Sequence, residues 1–121
     1  MRRTVAQGVQ VASKRSFHTK VVGVTFQNDD GSSRQRILKR CRKGEHLVLV
    51  NTPIPEDRNA VAVRRASTGE QLGYLSRELA AEIAPKLRRG VRITAEIASL
   101  TGGGLIFKRT RGCNIKITIW E

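Results

Sequence analysis

Cationic side chains are the most abundant chemically active groups in this sequence. Lys and Arg together number 23 against 10 Asp and Glu, which gives the chain a formal net charge of +13. Such an excess repels itself in a compact protein, so we expect a polyanionic partner, with nucleic acid as the first candidate and an anionic membrane surface as the second. Many of the cations fall in four groups: residues 34–43, Arg64 with Arg65, residues 86–92 and residues 108–111.

Binding to single-stranded nucleic acid also requires flat side chains on which bases can stack. Tyr74 lies next to Gly73, and its side chain points to the opposite strand face from that of Leu75, so we expect its ring to be exposed. The side chains of Val22, Val24 and Phe26 alternate onto one face of the predicted strand. The Phe26 ring could therefore stack on a base or pack in the core, and both interpretations stay open. The sequence holds five aromatic residues: Phe17, Phe26, Tyr74, Phe107 and Trp120.

The residue pattern gives little support for catalysis. The sequence has no phosphate-binding GxxxxGK[ST] loop and no HExxH zinc motif. His18 and His46 fall in different predicted elements, so we predict no metal site and no cofactor. Neighbouring carboxylates occur at residues 29–30 and at Glu56 with Asp57, and a Mg²⁺-dependent nuclease that uses the second pair is a rival hypothesis. We predict that the chain is not an enzyme.

The two cysteines and the hydropathy pattern indicate in which cellular compartment the protein acts. Cys41 and Cys113 lie far apart in sequence, and without a secretory signal they do not indicate a disulfide. No apolar run approaches the roughly 20 residues that cross a bilayer. We therefore predict a cytoplasmic protein without a membrane partner.

The length of 121 residues is that of one domain with a single modest core. Residues 1–16 lack turn signals, a clear period and large side chains, so we predict a flexible basic arm there and a folded domain over residues 17–121.

The first half of the domain reads as strand, turn, helix and strand. We predict a strand over Phe17–Phe26, a turn over Asn28–Gly31 and a helix over Arg34–Cys41 that displays Arg34 outward. Ser32 with Gln35 three residues later has the spacing of a capping box. The apolar run Leu47–Val50 predicts a strand that is buried on both faces.

The second half adds five more strands and a longer helix. Asn59–Val63 alternates as a half-buried strand, and Ser76 is placed to cap a helix that starts at Arg77 and breaks or kinks at Pro85. Further strands are predicted over Gln71–Leu75, Val91–Ile97, Leu105–Phe107 and a last segment in which Ile115, Ile117 and Ile119 face the core while Lys116, Thr118 and Trp120 face away. About six short strands with two short helices predict a mostly β fold, a small barrel.

Four elements resemble, in the same order, those of the HIRAN domain, a small module found in certain helicase-like remodelling proteins and as a stand-alone bacterial protein. They are the strand Val21–Gly23, the loop and strand Asp57–Val61, Gly73 with Leu75, and the Ala-rich helix from Arg77. The resemblance covers Lys20 to about Trp120 and implies an OB-like β-barrel.

The resemblance also implies a site for single-stranded DNA with a pocket for the free 3′ end. The family's base-stacking cluster falls on Thr25, Phe26 and Gln27, so one aromatic ring is kept and the rest of the cluster differs. Asp57 matches the acidic residue that accepts a hydrogen bond from the terminal 3′-hydroxyl. Glu56 stands where the family often has an aromatic residue.

Other residues complete the predicted DNA-binding set. At the Gly-x-Leu motif the ring of Tyr74 is placed to reach the DNA, and Arg58, Arg77 and Lys108 supply cations. Asp57 has a second interpretation, in which its carboxylate caps its own loop through backbone N–H groups. We interpret Asn59 as a structural residue that holds the loop before the strand.

The sequence therefore predicts a non-enzymatic module that prefers single-stranded DNA or frayed 3′ ends, as in DNA repair or replication. Two alternatives stay open. One is an RNA-binding or ribosome-associated OB-like protein, and the other is a recruiting subunit for a separate helicase or remodelling ATPase.

Overall fold

A computed structural model describes residues 13–104 and 109–121. Most of the predicted basic arm and the predicted strand Leu105–Phe107 lie outside the described residues, so the division of the chain at residue 16 stays a prediction. The elements are β1 (Lys14–Lys20), α1 (Arg34–Arg40), β2 (His46–Asn51), β3 (Val61–Arg65), β4 (Gln71–Tyr74), α2 (Arg77–Arg88), β5 (Arg92–Thr101) and β6 (Gly112–Trp120).

The six strands form one antiparallel sheet in the order β1-β6-β5-β2-β3-β4. Two residues past the end of β1, Val22 exchanges a pair of backbone hydrogen bonds with Tyr74 of β4, at 2.8 and 2.9 Å. Just before it, the Val21 N–H still donates to the Cys113 carbonyl of β6 at 2.9 Å. The continuation of edge strand β1 thus bonds to its neighbour β6 and to β4, the strand at the other edge of the sheet. These bonds join the two edges, in agreement with the small OB-like barrel that the sequence predicts.

The core of the barrel consists mainly of Ile, Leu and Val side chains. As predicted, Ile115, Ile117 and Ile119 of β6 are fully buried. The two helices add a few apolar residues each, and the core cluster includes Ile37 and Leu38 of α1 and Ala80, Ile83 and Ala84 of α2. Helix α1 packs against β4, and α2 packs against β2 and β3.

The first strand differs from its predicted bounds. β1 begins at Lys14, three residues early, and ends at Lys20, because Gly23 takes a positive φ of 73° and the chain turns there. The Phe26 N–H then donates to the Gly23 carbonyl at 3.2 Å. Phe26 therefore lies in a turn, and the predicted strand over residues 24–26 is wrong.

Two other strand predictions are wrong about burial. In β2, Leu47 and Leu49 are buried while Val48 is 46% exposed, because the outer face of this antiparallel sheet meets solvent. β3 starts later than predicted, at Val61, and three consecutive residues are buried rather than alternating. Ala62, on the outer side of β3, is small enough to be covered between its cross-strand neighbours.

Thr118 is also buried, although it was expected to face away from the core. Its strand, β6, is flanked by β1 and β5. The Thr118 hydroxyl lies 2.9 Å from the hydroxyl of Ser16 on β1. Neighbouring strands on both sides therefore cover this outward-facing side chain.

The N-caps of both helices are serine side chains, but two predictions about the helices are wrong. Ser76 caps α2 as predicted by accepting from the Leu79 N–H at 3.3 Å, whereas α1 is capped by Ser33 rather than Ser32. The predicted break at Pro85 does not occur, and α2 continues to Arg88. Ala81, whose carbonyl loses its helical partner at Pro85, lies on the exposed side of the helix, where water can replace that bond.

Closure of the barrel depends on a glycine at the joint. A Cβ added at Gly73 would lie 2.4 Å from the Val22 carbonyl oxygen and 2.9 Å from Val21 Cγ1. Only a residue without a side chain lets β4 approach the continuation of β1 this closely.

We therefore expect Gly73→Ala to lower the free energy of unfolding by about 1–3 kcal/mol, because the added methyl group forces the joint apart. Urea denaturation measures the change. Gly104→Ala is the matched control, since a Cβ at Gly104 meets nothing within 4 Å, and should stay within about 0.5 kcal/mol of wild type. Equal stability of the two variants would contradict the role of this close approach.

Candidate nucleic-acid interface

A groove lies beside the joint that closes the barrel. Its volume is about 220 Å³. We call it the Tyr74 groove, and it is lined by Val22, Ile54, Glu56, Asp57, Ala60, Tyr74, Leu75 and Arg77. Four residues that the sequence predicted to bind DNA, from three separate stretches of chain, meet here: Glu56, Asp57, Tyr74 and Arg77.

The acidic wall of the groove is a tight turn. Ile54 and Asp57 exchange backbone hydrogen bonds at 3.1 and 3.0 Å around Pro55 and Glu56. Pro55 fixes φ within this turn, which favours its formation. The turn holds the Asp57 carboxylate at the edge of the groove.

Asp57 uses its two carboxylate oxygens differently. Oδ1 accepts from the Asn59 N–H at 2.9 Å, so the loop-capping interpretation is confirmed. Oδ2 lies 3.9 Å from Arg77 Nε, and the Asp57 side chain is 17% exposed. Because the cap occupies one oxygen, the second oxygen is left to act at the groove.

Helix α2 holds the loop from the other side. Arg88 donates from Nη1 to Asn51 Oδ1 at 2.9 Å and from Nη2 to Asn59 Oδ1 at 3.1 Å. Asn51 in turn donates to the Ala60 carbonyl at 3.0 Å. Asn59 therefore has the structural role that the sequence predicted, and the groove wall is fixed by side-chain bonds as well as by its own turn.

The floor of the groove is apolar. Val22 is an exposed apolar residue, while Ala60 and Leu75 are buried beneath the surface. Tyr74 is half-buried, so its ring is less open than predicted. An apolar floor with an aromatic ring suits the flat face of a nucleobase, and the carboxylate and cations at the rim suit polar groups of the sugar and phosphate.

Arg34 lies next to the Tyr74 ring and is buried, contrary to the sequence prediction. The sequence predicted that Arg34 faces outward, but it is only 6% exposed. Its Nε donates to Asn28 Oδ1 at 2.6 Å and its Nη1 to the Gly23 carbonyl at 2.9 Å. The guanidinium also lies 5.3 Å from the centroid of the Tyr74 ring, within the range of a cation–π interaction. One buried cation therefore fixes both the Gly23 turn and the groove ring.

Phe26 lies on the same turn that Arg34 holds. Its side chain is 69% exposed, so the core interpretation of Phe26 is wrong and its ring is available to a ligand. A Cβ added at Gly23 would lie 3.6 Å from Phe26 Cδ2 and 3.3 Å from Arg34 Nη1, so both side chains lie close to the Gly23 turn.

Gln35 supports the turn from the other side. It does not form the predicted capping box, because its side chain makes longer-range bonds instead. Its amide donates to the Val24 carbonyl at 2.9 Å and to the Arg111 carbonyl at 3.0 Å, and it accepts from the Arg111 N–H at 2.7 Å.

The remaining predicted site residues are not part of the groove lining. Thr25 and Gln27 are exposed on the Phe26 turn, and Gln27 pairs with Ser33 at the start of α1. Arg58 is exposed on the loop after Asp57. Lys108 lies outside the described residues. Sequence reasoning missed the apolar lining and Arg34, because apolar residues read as core and Arg34 belongs to a run of cations with nothing to distinguish it.

A second hollow has the wrong charge for phosphate. It is lined by Asp29, Asp30, Glu70 and Arg64 among others, and its volume is about 290 Å³. The hydroxyl and N–H of Ser32 both donate to Asp30, which keeps the pKa of that carboxyl below its ordinary value and the group charged. This hollow has three carboxylates against one arginine, and no aromatic ring or large apolar side chain lines it. The Tyr74 groove has an aromatic ring and an apolar floor for a base, so it is the better candidate.

The cysteines are not suited to act as nucleophiles. Both are buried and unpaired. Burial raises the pKa of the Cys41 thiol to about 11 and that of Cys113 to about 12, so neither forms the reactive thiolate at neutral pH.

Two further features concern the described part of the chain only. Within residues 13–104 and 109–121, no group of three or more His, Cys, Asp or Glu residues is arranged to hold a metal ion. Neither of the two helices there is long and apolar enough to cross a membrane.

Comparison with known proteins agrees with this fold. The family model of the HIRAN domain matches residues 14–120. The crystal structure of the HIRAN domain of human HLTF is similar with a TM-score of 0.63 and 22% identity, covering 87% of this chain and 74% of that one. The NMR structure of the HLTF HIRAN domain gives a TM-score of 0.56 at 22% identity, with coverage of 88% and 75%.

A crystal structure of a protein from Lactobacillus plantarum is similar as well. It has a TM-score of 0.59 and 18% identity, covering 87% of this chain and 98% of that protein. No curated protein matches the sequence. At these identities the solved structures show that the fold is shared.

The buried position of Arg34 gives a test of how the interface is held together. We expect Arg34→Met to lower the free energy of unfolding by about 2–4 kcal/mol, because the Gly23 carbonyl and Asn28 Oδ1 lose their donors. Chemical denaturation measures it. Arg36→Met removes the same charge from an exposed position of the same helix and should change stability by less than about 0.5 kcal/mol. Similar losses in both variants would mean that Arg34 acts only as a surface charge.

Proposed function

The chain belongs to the HIRAN domain family, and from this premise we propose that it is a non-enzymatic module that binds single-stranded DNA and receives the 3′ end in the Tyr74 groove. In this proposal the terminal base rests on the apolar floor beside Tyr74, and Phe26 stacks on a neighbouring base. Arg77 contacts the backbone. The protein would then act on frayed or single-stranded ends, as in repair or replication.

The observation that carries the proposal is the Asp57 carboxylate at the wall of an apolar groove. In a chain with a net charge of +13, a carboxylate at a binding surface repels phosphate. It favours binding only where the ligand offers a hydrogen-bond donor. A terminal 3′-hydroxyl is such a donor, whereas an internal phosphodiester is not. Oδ1 is already bonded to the Asn59 N–H, so Oδ2 is the oxygen proposed to accept from the hydroxyl.

Arg77 supports this arrangement. Its side chain is 71% exposed, and its Nη2 donates to the Glu56 carbonyl at 2.7 Å. That bond keeps the guanidinium at the rim of the groove, beside Asp57. A cation there is placed to neutralise the phosphate that precedes the terminal nucleotide, which offsets the repulsion from the carboxylate.

The test compares one oligonucleotide that carries either a 3′-hydroxyl or a 3′-phosphate. A hydrogen bond to a charged acceptor contributes about 1.5–3 kcal/mol, so we expect the wild-type protein to prefer the hydroxyl by about tenfold to a hundredfold. Asp57→Asn should lose this preference while it keeps the fold, because the amide oxygen can still accept from the Asn59 N–H. Fluorescence anisotropy measures both affinities.

Glu78→Gln is the matched control, since it removes the same charge from an exposed position outside the groove lining and should keep the preference. Wild-type binding that is equal for both ends would make Asp57 a loop cap alone and end the proposal of end recognition. Tighter binding of an RNA oligonucleotide of the same sequence would favour the RNA-binding alternative, because only RNA offers a 2′-hydroxyl.

A further inference from the structure

The outward face of β1, β6 and β5 carries an aromatic ring between cations. Strand pairing places Trp120 directly between Lys14 of β1 and Arg92 of β5. Lys14 Nζ lies 5.1 Å and Arg92 Cζ 4.8 Å from the centroid of the Trp120 ring. Four residues further along the same face, the pairing places Lys116 between His18 and Glu96. We call this surface the outer sheet face, and its defining residues are Lys14, His18, Lys20, Arg92, Lys116 and Trp120.

The outer sheet face is continuous with the Tyr74 groove through β1. Residues that alternate along a strand share one face, so Lys14, His18 and Lys20 point to the same side as Val22. Val22 is exposed and lines the groove. At about 3.4 Å per residue, the eight-residue step from Val22 back to Lys14 spans about 27 Å. A ligand that leaves the groove along β1 therefore passes over the outer sheet face.

The charge of this face suits a polyanion. Among the ion pairs of residues 13–104 and 109–121, none involves Lys14, Lys20, Arg92 or Lys116. Glu96 is the carboxylate that lies in register beside Lys116. Four cations without a salt-bridge partner against one carboxylate leave an excess of positive charge along the strand direction.

Besides its cations, the outer sheet face carries hydroxyl groups and a hollow. It has no apolar patch among the residues that define it. Ser16 and Thr118 share a hydrogen bond, and Thr94 lies next to Thr118 in register. The hollow has a volume of about 360 Å³ and is bordered by His46, Arg92 and Lys116. Cations, hydroxyls and a single flat ring suit the phosphates and bases of a nucleic-acid strand.

We propose that the outer sheet face is a second contact surface, on which the single strand continues after it leaves the Tyr74 groove. Lys20, Lys116 and Arg92 contact phosphates in that order along the single strand, and Trp120 stacks on a base about 27 Å from Val22. The base displaces one of the two cations at the Trp120 ring, which is then free to bind phosphate. This inference rests on the proposed function of the groove.

The experiment compares a short and a long single-stranded DNA with the same free 3′ end, of about 4 and about 12 nucleotides, within the range that OB folds bind. Arg92→Gln with Lys116→Gln removes two cations from the outer sheet face. We expect this double variant to make the log–log salt slope for the long DNA less negative by about 1.4, two contacts at about 0.7 each. Its affinity for the short DNA should stay within about twofold of wild type, since that DNA fills the groove only.

Lys39→Gln with Lys43→Gln is the matched control, because it lowers the net charge equally through exposed residues of α1 and the turn after it. It should leave both slopes unchanged. Trp120 is the only tryptophan in the chain, so its fluorescence reports directly on this face in the wild-type protein. We expect the long DNA to quench it and the short DNA to leave it unchanged.

Equal salt slopes for the two DNA lengths, with no change in tryptophan fluorescence, would overturn the outer sheet face while the groove proposal stands. An equal effect of the double variant on both lengths would also overturn it, because the loss would then reflect net charge. Failure of the wild-type protein to bind either DNA would overturn the function of the groove and this inference with it.

Discussion

The structure depends on the pair of backbone hydrogen bonds between Val22 and Tyr74. These bonds join the two edges of the six-stranded sheet. Without them β4 would be an open edge, and Val22 and Tyr74 would no longer be held together in the groove lining. Gly73 makes the bonds possible because it removes the Cβ that would collide with the Val22 carbonyl. The same two hydrogen bonds therefore join the edges of the sheet and form the groove.

The described charges are placed in a way that fits the proposed end recognition. Arg34 is buried and satisfied by two oxygen acceptors and the Tyr74 ring, so it acts as a rigid support. Asp57 places a negative charge at the groove, and Arg77 places a positive charge beside it. In the proposed function, a strand end that offers a hydroxyl interacts favourably with both groups, whereas the middle of a strand has no donor for the carboxylate. The cations of the proposed outer sheet face would add attraction that depends neither on sequence nor on the strand end.

Much of the fold follows from local patterns in the sequence, and the departures have physical causes. The β6 alternation, the Ser76 cap and the strand after Gln71 are fixed by neighbouring residues and were predicted. The burial of Arg34 and the exposure of Phe26 depend on the position of the Gly23 turn. That position is set by tertiary contacts rather than by neighbouring residues. The end of β1 was misplaced for the same reason. Family resemblance indicated that Glu56, Asp57 and Tyr74 belong to one site, and Arg77 was predicted as one of its cations. The apolar floor could not be predicted because it forms only when the edges of the sheet meet.

We propose that the Tyr74 groove, at the joint of the barrel, holds the end of a single strand. Backbone amide chemical shifts, recorded while a short single-stranded DNA with a free 3′-hydroxyl is added, locate the bound strand residue by residue. We expect the largest shifts at Val22, Phe26, Asn59, Tyr74 and Arg77, with little change at Arg36 and Arg40 on the exposed side of α1. Shifts concentrated on α1, with the groove residues unchanged, would contradict it.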